Sequence, residues 1–483
     1  MKRWNTIRGT GAVAGMALAV AVSVFGLTNS KTQAIDRSRP SAPTEKTDKL
    51  IVHEWGTFTS FSGSNGVQLD FRPLINEDLP KFVLDRQMQR GVSLLSKARI
   101  RAQIRMETPV TYFYTDVERT VRAKVEFPGG LLTEFYPPVI AMAPEYNPLT
   151  EATRPFGKSM LDWGDVHLIP AALLTPAVKD EQTRKWLQGM IEQRVVPTDG
   201  TSNPYYHARA TDSAFVHVRL PSSGEPNQFP FMMKPSGDHL EKFLFYRGVG
   251  RFEQPLQTAV ADDGRIQVTN TGEKPIRSLF RVTVAGSNIT YSEMELLAAG
   301  ATAPFAADAK SISLSDLQTR VVAALVGEKL YPREAWAMVN TWATSWFAEE
   351  GTRIFYMVPQ ETTDKLLPLT ISPKPDETVR VLVGRVEVMT PSVEKQLLEV
   401  VRENSVRRAV HNEKFKEVKN PEPMAIPAEL LKLGRLAEPA LVRVRELARD
   451  HTVSYEATLL LRECRAALER AEATELAPTE VST

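Results

Sequence analysis

The residues best suited to acid/base chemistry lie close together near the start of the chain, in His53-Glu54-Trp55-Gly56-Thr57-Phe58-Thr59. Imidazole and carboxylate together suit a divalent metal such as zinc, which would polarise a bound water for hydrolysis. The ligands of such a site would be His53, Glu107 and His167, with His207, His217 or His239 as further nitrogen donors and Glu54 as base or ligand. A second chemistry is binding without turnover. Trp55 offers an aromatic surface, and Arg99, Arg101, Arg105, Arg247 and Arg353 offer planar cations that match carboxylates and phosphates. Seven histidines in 483 residues is also an ordinary number for a chain that binds no metal, so His53 reads more readily as a hydrogen-bonded strand residue beside Trp55 than as a ligand. The common enzyme signatures are missing: there is no His-Glu-x-x-His, no Gly-x-Ser-x-Gly, no phosphate loop and no cysteine pair.

The elements that must position these residues are mostly strands. Residues Ile51 to Thr59 alternate, with His53, Trp55, Thr57 and Thr59 on one face and Val52, Glu54, Gly56 and Phe58 on the other. His53 and Glu54 therefore point apart unless Gly56 marks a bulge. Ser62-Gly63-Ser64-Asn65-Gly66 reads as a turn into a second strand through Leu69 and Phe71. From Lys97 to Glu107, apolar residues alternate with Lys97, Arg99, Arg101, Gln103 and Arg105, which predicts a half-buried strand with a cationic face. That face is either an anion site or a solvated edge guarded by charge. Further strands are expected over Val110–Tyr114, Val121–Phe127 and Leu131–Tyr136, and a helix over Asp180–Gln193.

Short strands between Phe252 and Phe305, with turns at Asp262-Asp263-Gly264 and Asn270-Thr271-Gly272, predict a small Ig-like sandwich. A capping box at Ser315 and Gln318 opens one helix, and Pro332 opens another that runs to Glu350. Ala335, Val339, Trp342 and Trp346 make one face of the second helix, a spacing that burial requires. Glu349 and Glu350 sit at its electronegative end, where Arg353 is the local cation that can relieve them. The tail reads as one HEAT-like helical hairpin, with Leu441, Val444 and Leu447 facing Ala457, Leu460, Leu461, Cys464 and Leu468.

Compartment follows from the first residues. Lys2, Arg3 and Arg8 precede an uncharged run from Gly9 to Ser30, which reads as a secretory leader with cleavage after Ala34, or as an uncleaved anchor. The leader holds Lys2, Arg3, Arg8 and Lys31 and no acid, so without it the formal charge falls from +1 by four, to −3. A near-neutral exported chain is poorly suited to nucleic acid. Cys464 is the only cysteine, so the fold must rest on its core. The expected organisation is a signal peptide over 1–34, a linker over 35–49, a β-rich domain over 50–251 and the Ig-like module over 252–310. A mixed helix/strand segment over 311–408, the helical hairpin over 409–473 and a frayed tail over 474–483 complete it. The fold class is α+β, β-rich, with a β-sandwich-like body and a helical C-terminal part.

The His53–Thr59 segment resembles the start of a group of exported bacterial proteins that carry a closely similar HEWGTFT stretch. Arg105–Val110, Lys242–Gly248, Ser345–Gly351 and Leu382–Glu387 fit the same resemblance, which spans about Val52 to Thr390. It implies that the body is one evolved unit, and it supplies no activity. The reading that needs least is an exported cell-envelope protein, periplasmic or extracellular, that binds a glycan or protein. A zinc-dependent hydrolase centred on His53 and Glu54 is the alternative.

Overall fold

The computed structural model describes residues 48–71, 79–86, 100–147, 150, 155–171, 196–220, 237–306, 308–419, 422–433 and 436–475, with side chains as far as 467. The expected leader, most of the linker, the Asp180–Gln193 helix, Arg99, the Leu468 side chain and the end of the tail lie outside them.

Fourteen strands carry the argument: β1 Ile51–Ser62, β2 Ile104–Tyr114, β3 Arg119–Phe127, β4 Gly130–Tyr136, β5 Ser159–Ile169, β6 Phe215–Leu220, β7 Gly237–Glu241, β8 Leu244–Gly250, β9 Leu256–Val260, β10 Ile266–Asn270, β11 Ile276–Ala285, β12 Asn288–Leu297, β13 Gly351–Val358 and β14 Glu377–Val388. The longer helices are α1 Leu314–Gly327, α2 Pro332–Phe347, α3 Pro391–Lys414, α4 Ala437–Leu447 and α5 His451–Glu475. Among the described residues strand exceeds helix, 39% against 29%, so the protein is β-rich α+β, as its sequence predicts.

β1 lies near the middle of a ten-stranded sheet that runs from Lys310–Ser311 through β12, β11, β13, β14, β1, β2, β8 and β4 to Leu84–Asp85. It pairs parallel with β14 and antiparallel with β2. Both its faces are covered, because a strand with two neighbours and layers on each side has no solvent face. On the inner face, Val52, Phe58 and Met106 share a core with Val121, Trp163 and Val216 of a six-stranded sheet built around β3, β5, β6 and β7. On the outer face, Trp55, Val110 and Tyr112 pack with Val339, Trp342 and Trp346 of α2. The tryptophan stripe is therefore core.

The expected Ig-like module is divided between sheets. β9 and β10 form a three-stranded sheet with Thr302–Pro304, whereas β11 and β12 extend the ten-stranded sheet through β13. The helix expected to open at Ser315 opens two residues earlier: Ser313 caps it, accepting from the Asp316 N–H at 3.1 Å. The C-terminal hairpin of α4 and α5 finds its partner within the chain, because Leu397 and Val401 of α3 complete its core. Glu394 of α3 accepts from the Ser64 N–H at 2.9 Å and from Arg443 of α4 at 2.7 Å, which ties the turn after β1 to the helices.

Candidate functional site

β1 turns its first two candidate residues to opposite faces, as alternation requires. On the outer face, His53 Nδ1 lies 2.8 Å from Glu334 Oε2. Glu334 is the third residue of α2 and also accepts from the Tyr331 N–H at 2.8 Å and the Tyr114 hydroxyl at 2.7 Å. One carboxylate thus caps α2 and fastens it to β1. Burial, with the Glu334 charge adding to it, pushes the Tyr114 phenol far above its usual range, so it stays a donor.

On the inner face, Glu54 Oε1 accepts from Arg380 Nε at 3.0 Å and Nη2 at 2.5 Å. Its Oε2 accepts from the hydroxyls of Thr111 and Tyr246, both at 2.8 Å. A carboxylate has about four acceptor positions, and here all are filled. Burial works against the Arg380 charge, yet Glu54 holds it above its usual range. Glu54 is a structural anchor whose acceptor positions are all taken inside the fold.

The bulge foreseen at Gly56 exists, but on the neighbouring strand. The β1/β2 register shifts between Trp55 and Thr57, where β2 inserts an extra residue at Thr108-Pro109, with Thr108 at φ 44°. A Cβ on Gly56 would stand 3.0 Å from the Pro109 backbone, so glycine makes room for the proline. The extra residue reverses the faces of β2 below it. Met106 joins the inner core, and Arg105 and Glu107 turn to the outer face.

There they belong to a belt of buried charge. Arg105 Nε is 3.1 Å from Glu107 Oε1; Arg385 donates to Glu387 at 2.6 Å and to Glu349 at 2.7 Å. Arg353 donates to Glu387 at 3.0 Å and to the Trp346 and Glu349 carbonyls at 2.8 Å each, capping the end of α2. Further along, Arg247 meets Glu134 bidentately at 2.9 and 3.1 Å. Arg247 and Arg353 were candidates for contacting a ligand, and both are fully buried in these pairs. Trp55 is likewise fully buried. The cationic stripe on Lys97–Glu107 does not persist through its described part: Arg101 is exposed and Arg105 is enclosed, because β2 has covered faces where alternation predicted one open face.

The metal set does not assemble. Glu107 shares the outer face with His53 but pairs beside Thr57, four residues along, roughly 13 Å at a strand's rise. His167 lies beyond the inner core, on the far side of the six-stranded sheet, with Val166 and Leu168 facing inward. The structure does bring His167 beside His217, its cross-strand partner, at 6.3 Å between ring centres. Their carboxylate neighbours differ, Glu118 at 3.4 Å from His167 and Asp238 at 2.8 Å from His217. His207 is exposed on the short helix Pro204–Arg209, and the His239 ring meets Tyr136 edge-on. Among the described residues no three His, Cys, Asp or Glu side chains converge as a metal group.

A cleft of about 610 Å³ opens at the other end of β1, lined by Ser60, Ser62 and part of β9. Its polar lining is neutral: Gln68, Gln103, Gln254, Gln257, Ser60 and Thr258. Ser60 donates to the Gln254 carboxamide oxygen at 2.9 Å, which fixes that amide and leaves its nitrogen without a partner among the described residues. Thr258 Oγ1 is buried without a partner among the described residues. Phe252 lines the same space, held edge-on by Phe58 and Phe127 at 5.5 and 6.0 Å. The charged members are Arg251, paired with Asp70 at 2.8 Å, and exposed Glu253. No sequence signal marks this site, since its glutamines come from three separate segments with no common spacing.

No family model matches the chain, and no curated protein matches it. Among solved structures it is similar to the yeast delta-COP-I mu-homology domain complexed with the Dsl1 WxWxV peptide, at 6% identity and a TM-score of 0.22, over 71% of this chain and 96% of that one. The yeast domain without peptide gives 7% identity and a TM-score of 0.23, over 72% and 98%. Likeness of that degree carries no argument about fold, ligand or partner.

Proposed function

We propose that this is an exported protein of the cell envelope, periplasmic or extracellular, that binds a glycan or protein ligand without transforming it. One observation carries the reading: the acid and base at the head of β1 are both engaged inside the fold, whereas the neutral polar groups at its tail line an open cleft. The resemblance of His53–Thr59 to exported bacterial proteins supports the compartment, as does the leader-like start. A hydrolase would need a carboxylate or imidazole free to act on water. Glu54 has four donors, and the His53 ring is clamped by Glu334 and covered by Tyr331 at 4.4 Å between ring centres.

The test is to incubate the full chain, purified from the cell envelope, with insoluble peptidoglycan and other envelope polysaccharide. Sedimentation with polymer and no release of soluble fragments is the expected result. Sustained release that disappears in Glu54→Gln would contradict the reading.

A further inference from the structure

We infer that the cleft between the end of β1 and β9 takes a neutral oligosaccharide, an assignment that rests on the binding reading and narrows it. A sugar hydroxyl is donor and acceptor at once, and the side chains that satisfy it best are carboxamides and hydroxyls. The cleft presents both kinds. Gln254 is more than nine-tenths buried and fixed through its oxygen by Ser60, so its nitrogen is a positioned donor. Thr258 Oγ1 is buried and has no partner among the described residues; a ligand hydroxyl that reached it would remove that cost. Gln68, Gln103 and Gln257 stand around these two from the loop after β1, the approach to β2 and β9. Phe252 is part-buried, and its ring offers the apolar surface on which the C–H face of a sugar rests.

Size and charge narrow the ligand further. A volume of about 610 Å³ falls within the usual span of small-molecule sites, about 300 to 1,000 Å³, and equals about twenty waters of liquid volume. A short oligosaccharide fills that space better than one ring. An anionic glycan would meet exposed Glu253, and the one lining cation among the described residues, Arg251, is already paired with Asp70.

A peptide is disfavoured for a different reason. Extended peptides bind by adding a strand to a sheet edge. The outer edge of β9 is taken: the Thr258 carbonyl accepts from the Ser62 hydroxyl at 3.0 Å, and the Val260 N–H donates to the Ser64 carbonyl at 2.7 Å.

The experiment is calorimetric titration of the full chain with maltotetraose, cellotetraose, mannotetraose and chitotetraose, beside tetragalacturonate and a Gly/Ser/Ala octapeptide. Saturable binding of at least one neutral tetrasaccharide is expected, weakened about tenfold in Gln254→Ala and in Gln257→Ala. Gln257 is exposed and forms no internal bond among the described residues, so Gln257→Ala should keep the wild-type unfolding midpoint and separates lost binding from lost folding. Neutral-sugar binding unchanged in both variants would overturn the assignment. Tetragalacturonate or octapeptide binding that the same variants abolish would overturn it and leave the binding reading standing. If no probe binds, both fall.

Discussion

The two ends of β1 use their polar residues in opposite ways. At the His53–Glu54 end every acid and base is matched to a partner inside the fold, and the partner is usually remote, as Arg380 is from Glu54 by 326 positions. At the Ser60–Ser62 end most of the polar residues are neutral, and they line an open cleft. The contrast has a physical basis. A buried charge is tolerable only when paired and hydrogen-bonded, so a sheet covered on both sides must close its ionic networks. A neutral amide at a cleft can stand without a protein partner because water or ligand takes its place. The residues that look most chemical thus hold the fold together, and inconspicuous glutamines are left for recognition.

The contrast breaks most severely if one member of a closed pair is removed. Arg380→Ala should destabilise the protein by about 3 to 5 kcal/mol, because it leaves Glu54 charged and buried. Urea unfolding of the variant beside wild type measures this, and a loss under about 1 kcal/mol would mean that the pair is solvated.

A smaller effect is expected where the backbone, rather than charge, shapes the belt. Gly248 pairs with Leu132, and a Cβ there would lie 2.4 Å from the Leu131 carbonyl oxygen beside the Thr133 bulge. Gly248→Ala should cost about 1 to 3 kcal/mol, and more than Gly56→Ala, whose Cβ meets Pro109 at 3.0 Å. Equal unfolding midpoints for the two would contradict that order.

Lys242 sharpens the comparison from the other side, as a buried cation without a bonded carboxylate. Its ammonium donates to the Ser213 carbonyl and lies 4.5 Å from the Phe215 ring. Burial pulls it down to about 8, although Asp212 and Glu241 oppose the shift. From about pH 8 to the ordinary lysine value near 10.5, the unfolded chain binds more protons than the folded one, so this group makes stability rise with pH. Below pH 8 both states are protonated and its slope vanishes. Lys242→Met should flatten the rise between pH 8 and 10 in unfolding midpoints, and an unchanged slope would show that Lys242 titrates normally.

Much of this architecture is legible in the sequence, because alternation and turn residues report local structure. The split of His53 and Glu54 between faces, the turn after Ser62 and the buried tryptophan stripe all follow from spacing alone. What fails depends on partners. The bulge moved from Gly56 to Thr108-Pro109 because the strand that carries the extra residue is decided by both neighbours. Arg105 looked solvated because alternation cannot tell that β2 lies inside a ten-stranded sheet. The module expected over 252–310 is not closed on itself, because β11 pairs with β13, about seventy residues further on. The cleft left no trace in spacing, since its lining meets only after β1, β9 and the approach to β2 are in register.

The most direct test of the account compares dissociation constants for whichever neutral tetrasaccharide binds wild type most tightly, in His53→Ala and in Gln257→Ala. His53→Ala should lose about 1 to 3 kcal/mol of stability, from the unmade bond to Glu334, and keep its affinity. Gln257→Ala should keep its stability and bind about tenfold more weakly. The reverse pattern, with affinity lost in His53→Ala and retained in Gln257→Ala, would put function at the head of β1 and contradict the account.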